Sequence, residues 1–395
     1  MKWIVNKDKN TVIRKSLLNG NTLFEVKSFH ESFQEYESTP LVRLKRMAEY
    51  LGVSEIFLKD ESFRFGLNSF KVLGASFAIG KYLARMLGKD IAEMPLSILK
   101  SDEVKDALGE LTLVATTDGN HGRGVAWMAK QLGCKAIIYM PKSSTQNRVN
   151  NITQFGASVS VTEWNYDDTV RFAAEQAQKN GWEVIQDTAW EGYVDVPTWI
   201  MQGYSTIAQE VILQLQGVRP THVFLQAGVG AFASIIASFF ITIFEKNPPK
   251  IIIVEPDKAD CFYKSALAGK ISSVTGGLNT IMAGLACGEP NPVAWEILRY
   301  CTDLFISAPD WMTARGMRIL GNPLKSDNRV ISGESGAVTA GVLSVVTIDD
   351  KYKDVKEALE LNEKSKILLF STEGNTDTEI YRRIVWDGDY QSLLK

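Results

Sequence analysis

The chain has no run of 18 or more uninterrupted apolar residues, so it offers no helical membrane span. Histidine is scarce at three, and the four cysteines, at 134, 261, 287 and 301, show no CxxC spacing. That scarcity argues against a metal site. Free thiols are the expected state, although Cys261 and Cys287 lie near enough in sequence for a pair between them to stay open. Charge of one sign is also missing: 43 lysines and arginines stand against 46 aspartates and glutamates, a net charge of -3. No basic surface for nucleic acid follows from that balance. The N-terminal stretch MKWIVNKDKNTVIRK is polar and lacks a secretory apolar core, which leads us to expect a cytoplasmic protein. No internal repeat, low-complexity tract or long Pro/Gly linker breaks the chain.

What is present is an ordinary soluble composition, with 45% hydrophobic and 23% charged residues over 395 positions, enough for two domains. From Leu111 the pattern alternates. Strand-like runs at 111–115, 136–140, 157–161 and 182–185 are separated by helix-like runs at 124–132, 144–155 and 167–180, the βα rhythm of a parallel sheet. A second series runs from Gln202, with strands near Val223, 251–254 and 367–370, and the segment before Lys71 is expected to join it. The polar tract 89–110 has no clear period and reads as a surface insertion between the domains.

Three turns carry chemistry. Lys71, between Phe70 and Val72 and ahead of an apolar helical run, would lose hydration; desolvation lowers an amine pKa and frees it to attack an aldehyde, which is Schiff-base chemistry. The alternative is a solvated lysine at a helix start. Gly228-Val229-Gly230-Ala231 follows an apolar strand and precedes an apolar helix, where backbone amides and the positive helix end can hold a phosphate. It has neither the lysine of a nucleoside-triphosphate loop nor the third glycine of a dinucleotide site, and a plain tight turn remains open. Thr116-Thr117-Asp118-Gly119-Asn120-His121-Gly122 joins a strand end to a helix start, where open α/β sheets place ligands; helix capping by Asp118 or Asn120 is the other reading.

These turns, with Ser371-Thr372-Glu373-Gly374-Asn375 late in the chain, occur in the order seen in fold-type II pyridoxal-phosphate enzymes, and the chain resembles that tryptophan synthase β-like family over nearly its whole length. The longer strings KDESFRFGLNSFK, TTDGNHGRGVAW, QDTAWEGY, PTWIMQGY, QAGVGA, IVEPDKADC, IMAGLACGEPNP and ISGESGAV resemble those of the diaminopropionate ammonia-lyases within it.

The resemblance implies an α/β fold of two domains, each an open, mostly parallel twisted sheet flanked by helices. The large cofactor-binding domain would comprise 1–107 plus 200–395 and the small one 108–199, with the active site between them. It implies pyridoxal 5'-phosphate on Lys71, its phosphate on Gly228, Val229, Gly230 and Ala231, its ring oxygen on Asn120 and its ring nitrogen facing Ser371 or Thr372. It also implies a small amino acid as substrate, a homodimer, and a lining role for Glu334 and for the loop 284–288. The relatives acting on serine or threonine carry a hydroxyl residue where this chain has Asp118, and in related racemases that position faces Cα opposite the lysine. Asp118 is therefore the expected base for the enantiomer that Lys71 cannot reach. Asp187, in QDTAWEGY, is a second acid suited to a β-ammonium, or else a cap. With Thr116 and Thr117 these form the expected substrate contacts. The expected reaction is elimination of ammonia from 2,3-diaminopropionate, L and D, to give pyruvate and two ammonia. A serine or threonine dehydratase, and a non-catalytic protein binding a phosphorylated metabolite, are the alternatives.

Overall fold

In a computed structural model, which describes residues 1–10 and 17–391, eleven strands among the described residues form two sheets. Residues 11–16, within the polar N-terminal stretch, and 392–395 lie outside the described residues. The strands are β1 (Lys2–Val5), β2 (Leu41–Arg43), β3 (Glu55–Asp60), β4 (Thr112–Thr116), β5 (Lys135–Met140), β6 (Ser158–Val161), β7 (Glu183–Val184), β8 (His222–Gln226), β9 (Lys250–Pro256), β10 (Leu304–Ala308) and β11 (Lys366–Ser371). The larger sheet runs β1-β10-β9-β8-β11-β3-β2 and the smaller β6-β5-β4-β7. Only the edge strands β1 and β2 pair antiparallel; every other pairing is parallel.

The central strands β8 and β10 are buried along their whole length, as expected of parallel strands covered on both faces. The smaller sheet takes all its strands from 112–184, inside the segment expected to form the small domain. Helix Ala231–Ile243 is apolar on all sides and accordingly sits in the core, packed against helices Ser205–Gln214 and Pro292–Cys301.

The tract 89–110 corrects an expectation. It is largely helical, with turns at Ile91–Glu93, Leu96–Leu99 and Asp102–Leu108, and it buries Ile91, Met94, Leu96, Leu99 and Val104 in the main core. Short helices give each apolar residue a different face, which hides the period that longer helices display.

Beneath the segment leading to Lys71 lies a buried charge cluster. Glu210 accepts from Lys59 Nζ at 2.6 Å and from Arg64 Nη1 at 2.7 Å, while Glu61 accepts from Arg64 Nε at 2.9 Å. Two cations meet two carboxylates with no solvent, so the cluster is neutral and ties β3 to helix Ser205–Gln214.

Candidate active site

Five strands of the two sheets deliver their carboxyl ends to one cleft. After β3 comes the turn to Lys71; after β4, Thr117 to Asn120; after β7, Asp187; after β8, Gly228 to Ala231; after β11, Thr372 and Glu373. Open parallel sheets place ligands at this end.

Lys71 is the first residue of helix Lys71–Met86. That helix is fixed by a close backbone approach at Gly203, where a methyl would come within 2.6 Å of the Leu73 carbonyl, so only glycine lets helix Asp195–Gly203 lie so near. The Lys71 amine stands 2.6 Å from Asp187 Oδ2 and over the rings of Phe70 and Tyr204 at 5.5 and 6.0 Å. Here the expected direction of its pKa is overturned. Burial pulls the ammonium down, but the Asp187 carboxylate outweighs it and holds the amine protonated, well above its ordinary value. Burial pushes Asp187 the other way, and the Lys71 charge overrides it to leave the carboxyl at about 2. Asp187 caps no helix; its other oxygen accepts from the Tyr166 hydroxyl at 3.1 Å.

The glycine turn ends in helix Ala231–Ile243, with Gly230 at φ +89 as its N-cap and no side-chain cap. A methyl at Gly230 would lie 2.3 Å from Phe262 Cζ, so both conformation and space require glycine. The amides of that first turn are the ones a helix leaves unpaired, and they face the cleft lined by Gly228, Val229, Gly230 and Ala231.

The Asp118 turn is likewise no cap. Helix Asn120–Leu132 starts on Gly119 without a side-chain bond. Asn120 Nδ2 instead donates to Glu373 Oε2, and the Glu373 Oε1 accepts from the Ser335 amide at 2.8 Å. The Thr117 hydroxyl accepts from the Gly119 amide at 2.8 Å, and the Thr116 hydroxyl donates to the Thr169 carbonyl at 3.3 Å. Asp118 lines the cleft, where burial raises its carboxyl against the opposing pull of Arg148. At the far side Thr372 faces in and its hydroxyl accepts from Gln226 Nε2 at 2.9 Å, leaving the buried Gln226 Oε1 without a partner. Ser371 does not line the cleft; its hydroxyl donates to Ser332 at 2.8 Å. Gly284, Leu285 and Cys287 line it and Glu334 does not. All four cysteines are free, so Cys261 and Cys287 do not pair.

Tyr166, Gln226 and Glu373 were missed by sequence reasoning. Glu373 had a signal, since it sits inside the Ser371 to Asn375 string, but attention to the hydroxyls passed over it. Gln226 likewise opens the string QAGVGA, next to the phosphate turn, whereas Tyr166 had no signal that composition or spacing reveals.

These features fit pyridoxal phosphate: a lysine amine in a cleft, a helix start without a side-chain cap for a phosphate, and an unpartnered buried amide oxygen. The sequence matches the model of the pyridoxal-phosphate dependent enzymes over residues 33–373. It is 52% identical to the diaminopropionate ammonia-lyase of Escherichia coli (strain K12) over 367 residues, 92% of this chain and 91% of that one. The chain belongs to the pyridoxal-phosphate dependent enzymes, in the diaminopropionate ammonia-lyase family. Two crystal structures of the Escherichia coli enzyme superpose closely on it. The complex with D-serine gives a TM-score of 0.93 at 48% identity, covering 98% of this chain and 97% of that one. The complex with an aminoacrylate-PLP azomethine reaction intermediate gives 0.91 at 48% identity, covering 99% and 98%. The protein is thus a pyridoxal-phosphate-dependent lyase, as expected from the resemblance.

Proposed function

We propose that the protein eliminates the β-amino group of 2,3-diaminopropionate, from the D isomer as well as the L, and that Lys71 and Asp118 divide the two enantiomers between them. Bound pyridoxal phosphate supplies the electron sink that makes the α-proton removable. Lys71 would hold it covalently and, once displaced by the substrate amine, take the α-proton of one isomer. Asp118 would take that of the other. Asp187 would receive the substrate's β-ammonium and manage its proton as ammonia leaves, with Thr116 and Thr117 shaping the substrate side. Gly228, Val229, Gly230 and Ala231 would hold the phosphate, Asn120 the ring oxygen, and Thr372 in preference to Ser371 the ring nitrogen, because only Thr372 lines the cleft.

The observation that carries this reading is that three carboxylates, Asp118, Asp187 and Glu373, share one cleft with the lysine, a charge that a leaving hydroxyl does not need and a leaving ammonium does. Support for reaction on the D isomer comes from the D-serine complex of the Escherichia coli relative. The chemistry would lie between a small domain of 108–199 and a large one of 1–107 plus 200–395, in a cytoplasmic homodimer serving amino acid catabolism. A panel of D- and L-2,3-diaminopropionate, serine and threonine, read by pyruvate or oxobutyrate, tests the substrate. Turnover of both diaminopropionate isomers above the hydroxy amino acids is expected; preference for serine or threonine would overturn the reading.

A further inference from the structure

Arg148 stands where the charge on Asp118 is decided. It lies on helix Gln146–Thr153, which Thr145 and Asn147 tie to the Asp377 carboxylate at 2.6 and 3.2 Å and Asn151 ties to the Thr376 carbonyl at 2.9 Å. Its aliphatic stem lies across the Asp118 turn, where a methyl at Gly119 would meet Arg148 Cβ and Cγ at 3.5 Å. Stem and helix therefore leave the guanidinium little freedom. Nη1 reaches Asp118 twice, at 3.4 Å to Oδ2 and 3.4 Å to the carbonyl, while Nη2 lies 3.9 Å from Glu334 Oε1. The Glu334 side chain is 1% exposed and neither of its oxygens has a hydrogen-bond partner, nor has Arg148 Nε. A buried, unbonded carboxyl that lines no cleft is costly, so its place beside Arg148 calls for a reason.

We propose that Arg148 and Glu334 are positioning residues for Asp118: the guanidinium is shared between two carboxyls, and the charge on Glu334 sets how firmly it holds Asp118 and so how readily Asp118 accepts a proton. The proposal rests on the reading of Asp118 as base for the D isomer. Burial raises the Glu334 carboxyl to about 7, against the pull of Arg148, so Glu334 changes charge near neutrality. Glu373 and Asp377 face both Arg148 and Glu334 with negative charge. Asp118 is also faced by Glu373 and, with the opposite sign, by Lys71. His121, Tyr166 and Cys287 complete its titratable surroundings. When Glu334 is protonated, the Arg148 charge is left to Asp118 and holds it as a weakly basic carboxylate; when Glu334 ionises, the same fixed guanidinium is divided between two carboxylates and Asp118 becomes more basic.

The two substrate isomers share their own ionisations, so the ratio of kcat/KM for D over L cancels them. That ratio is measured on holoenzyme between about pH 6 and 8.5 for wild type, Glu334→Gln and Asp118→Asn. Glu334→Gln keeps shape and mimics the protonated residue, so folding is preserved. Carboxyl infrared titrations, each protein minus its Asp118→Asn counterpart, report Asp118 without any turnover. The ratio should rise roughly tenfold with pH in wild type and stay flat in Glu334→Gln, whose Asp118 midpoint should lie lower. An equal slope in both proteins, or an unmoved midpoint, would overturn the proposal. Equal losses on both isomers in Asp118→Asn would instead overturn the face-specific reading, and the infrared midpoint would then decide whether Glu334 governs Asp118.

Discussion

A lysine shielded from water is expected to be a poor cation, yet Lys71 is held as one by a carboxylate 2.6 Å away. The sequence showed the reactive position but not the partner, because Asp187 lies 116 residues on and only the fold brings them together. Lys71→Ala should abolish covalent attachment of the cofactor and lower turnover by roughly 10⁴-fold. Borohydride reduction and peptide mapping of the wild type should find the label on Lys71 and on no other lysine. Asp187→Asn should retain the cofactor while weakening handling of the substrate's β-ammonium by about 1.5 to 3 kcal/mol, read from kcat/KM on both isomers. An unchanged kcat/KM would leave Asp187 as a partner for the resting lysine alone.

Elements rather than residues were the most legible part of the chain. The runs at 111–115, 136–140 and 157–161 appear as β4, β5 and β6 within a residue or two; β4 is buried almost throughout, β5 alternates and β6 is a mostly exposed edge strand, so it was the regular βα spacing as much as burial that made them legible. β1 and β2 were not visible: they are short, half-exposed edge strands whose pairing is decided by the neighbours they meet. β10 is as buried as β8 but went unread among the helices around it. The candidate site was legible wherever it lay on one turn, as with Gly228 to Ala231, and illegible where it depends on contact between distant turns, as with Glu373 and Asn120. At this scale the close helix contact is testable. Gly203→Ala forces a methyl onto the Leu73 carbonyl and should destabilise the fold by about 1 to 3 kcal/mol, seen as a lower thermal midpoint, with the Lys71 helix displaced and cofactor binding weakened.

Across the larger sheet, the neutral cluster of Lys59, Arg64, Glu61 and Glu210 ties β3 and the segment after it to helix Ser205–Gln214. Burial raises the Glu210 carboxyl, but Arg64 and Lys59 override this and bring it to about 2, below the ordinary 4.5. A carboxyl depressed on folding contributes stability above its unfolded pKa and loses it as pH falls toward the folded one. Glu210→Gln, which strands buried positive charge, should therefore cost about 3 to 5 kcal/mol at neutral pH, measured by denaturant unfolding. The difference from wild type should shrink as pH drops from about 4.5 toward 2.

The proposed division of labour gives one cleft a separate base for each enantiomer, Lys71 and Asp118. Its most direct test is a parallel pyruvate assay on D- and L-2,3-diaminopropionate with wild type and Asp118→Asn, cofactor content being matched first. Removal of a general base is expected to lower activity on the D isomer by roughly 10²- to 10⁴-fold while activity on the L isomer falls far less. Equal losses on the two isomers would contradict it.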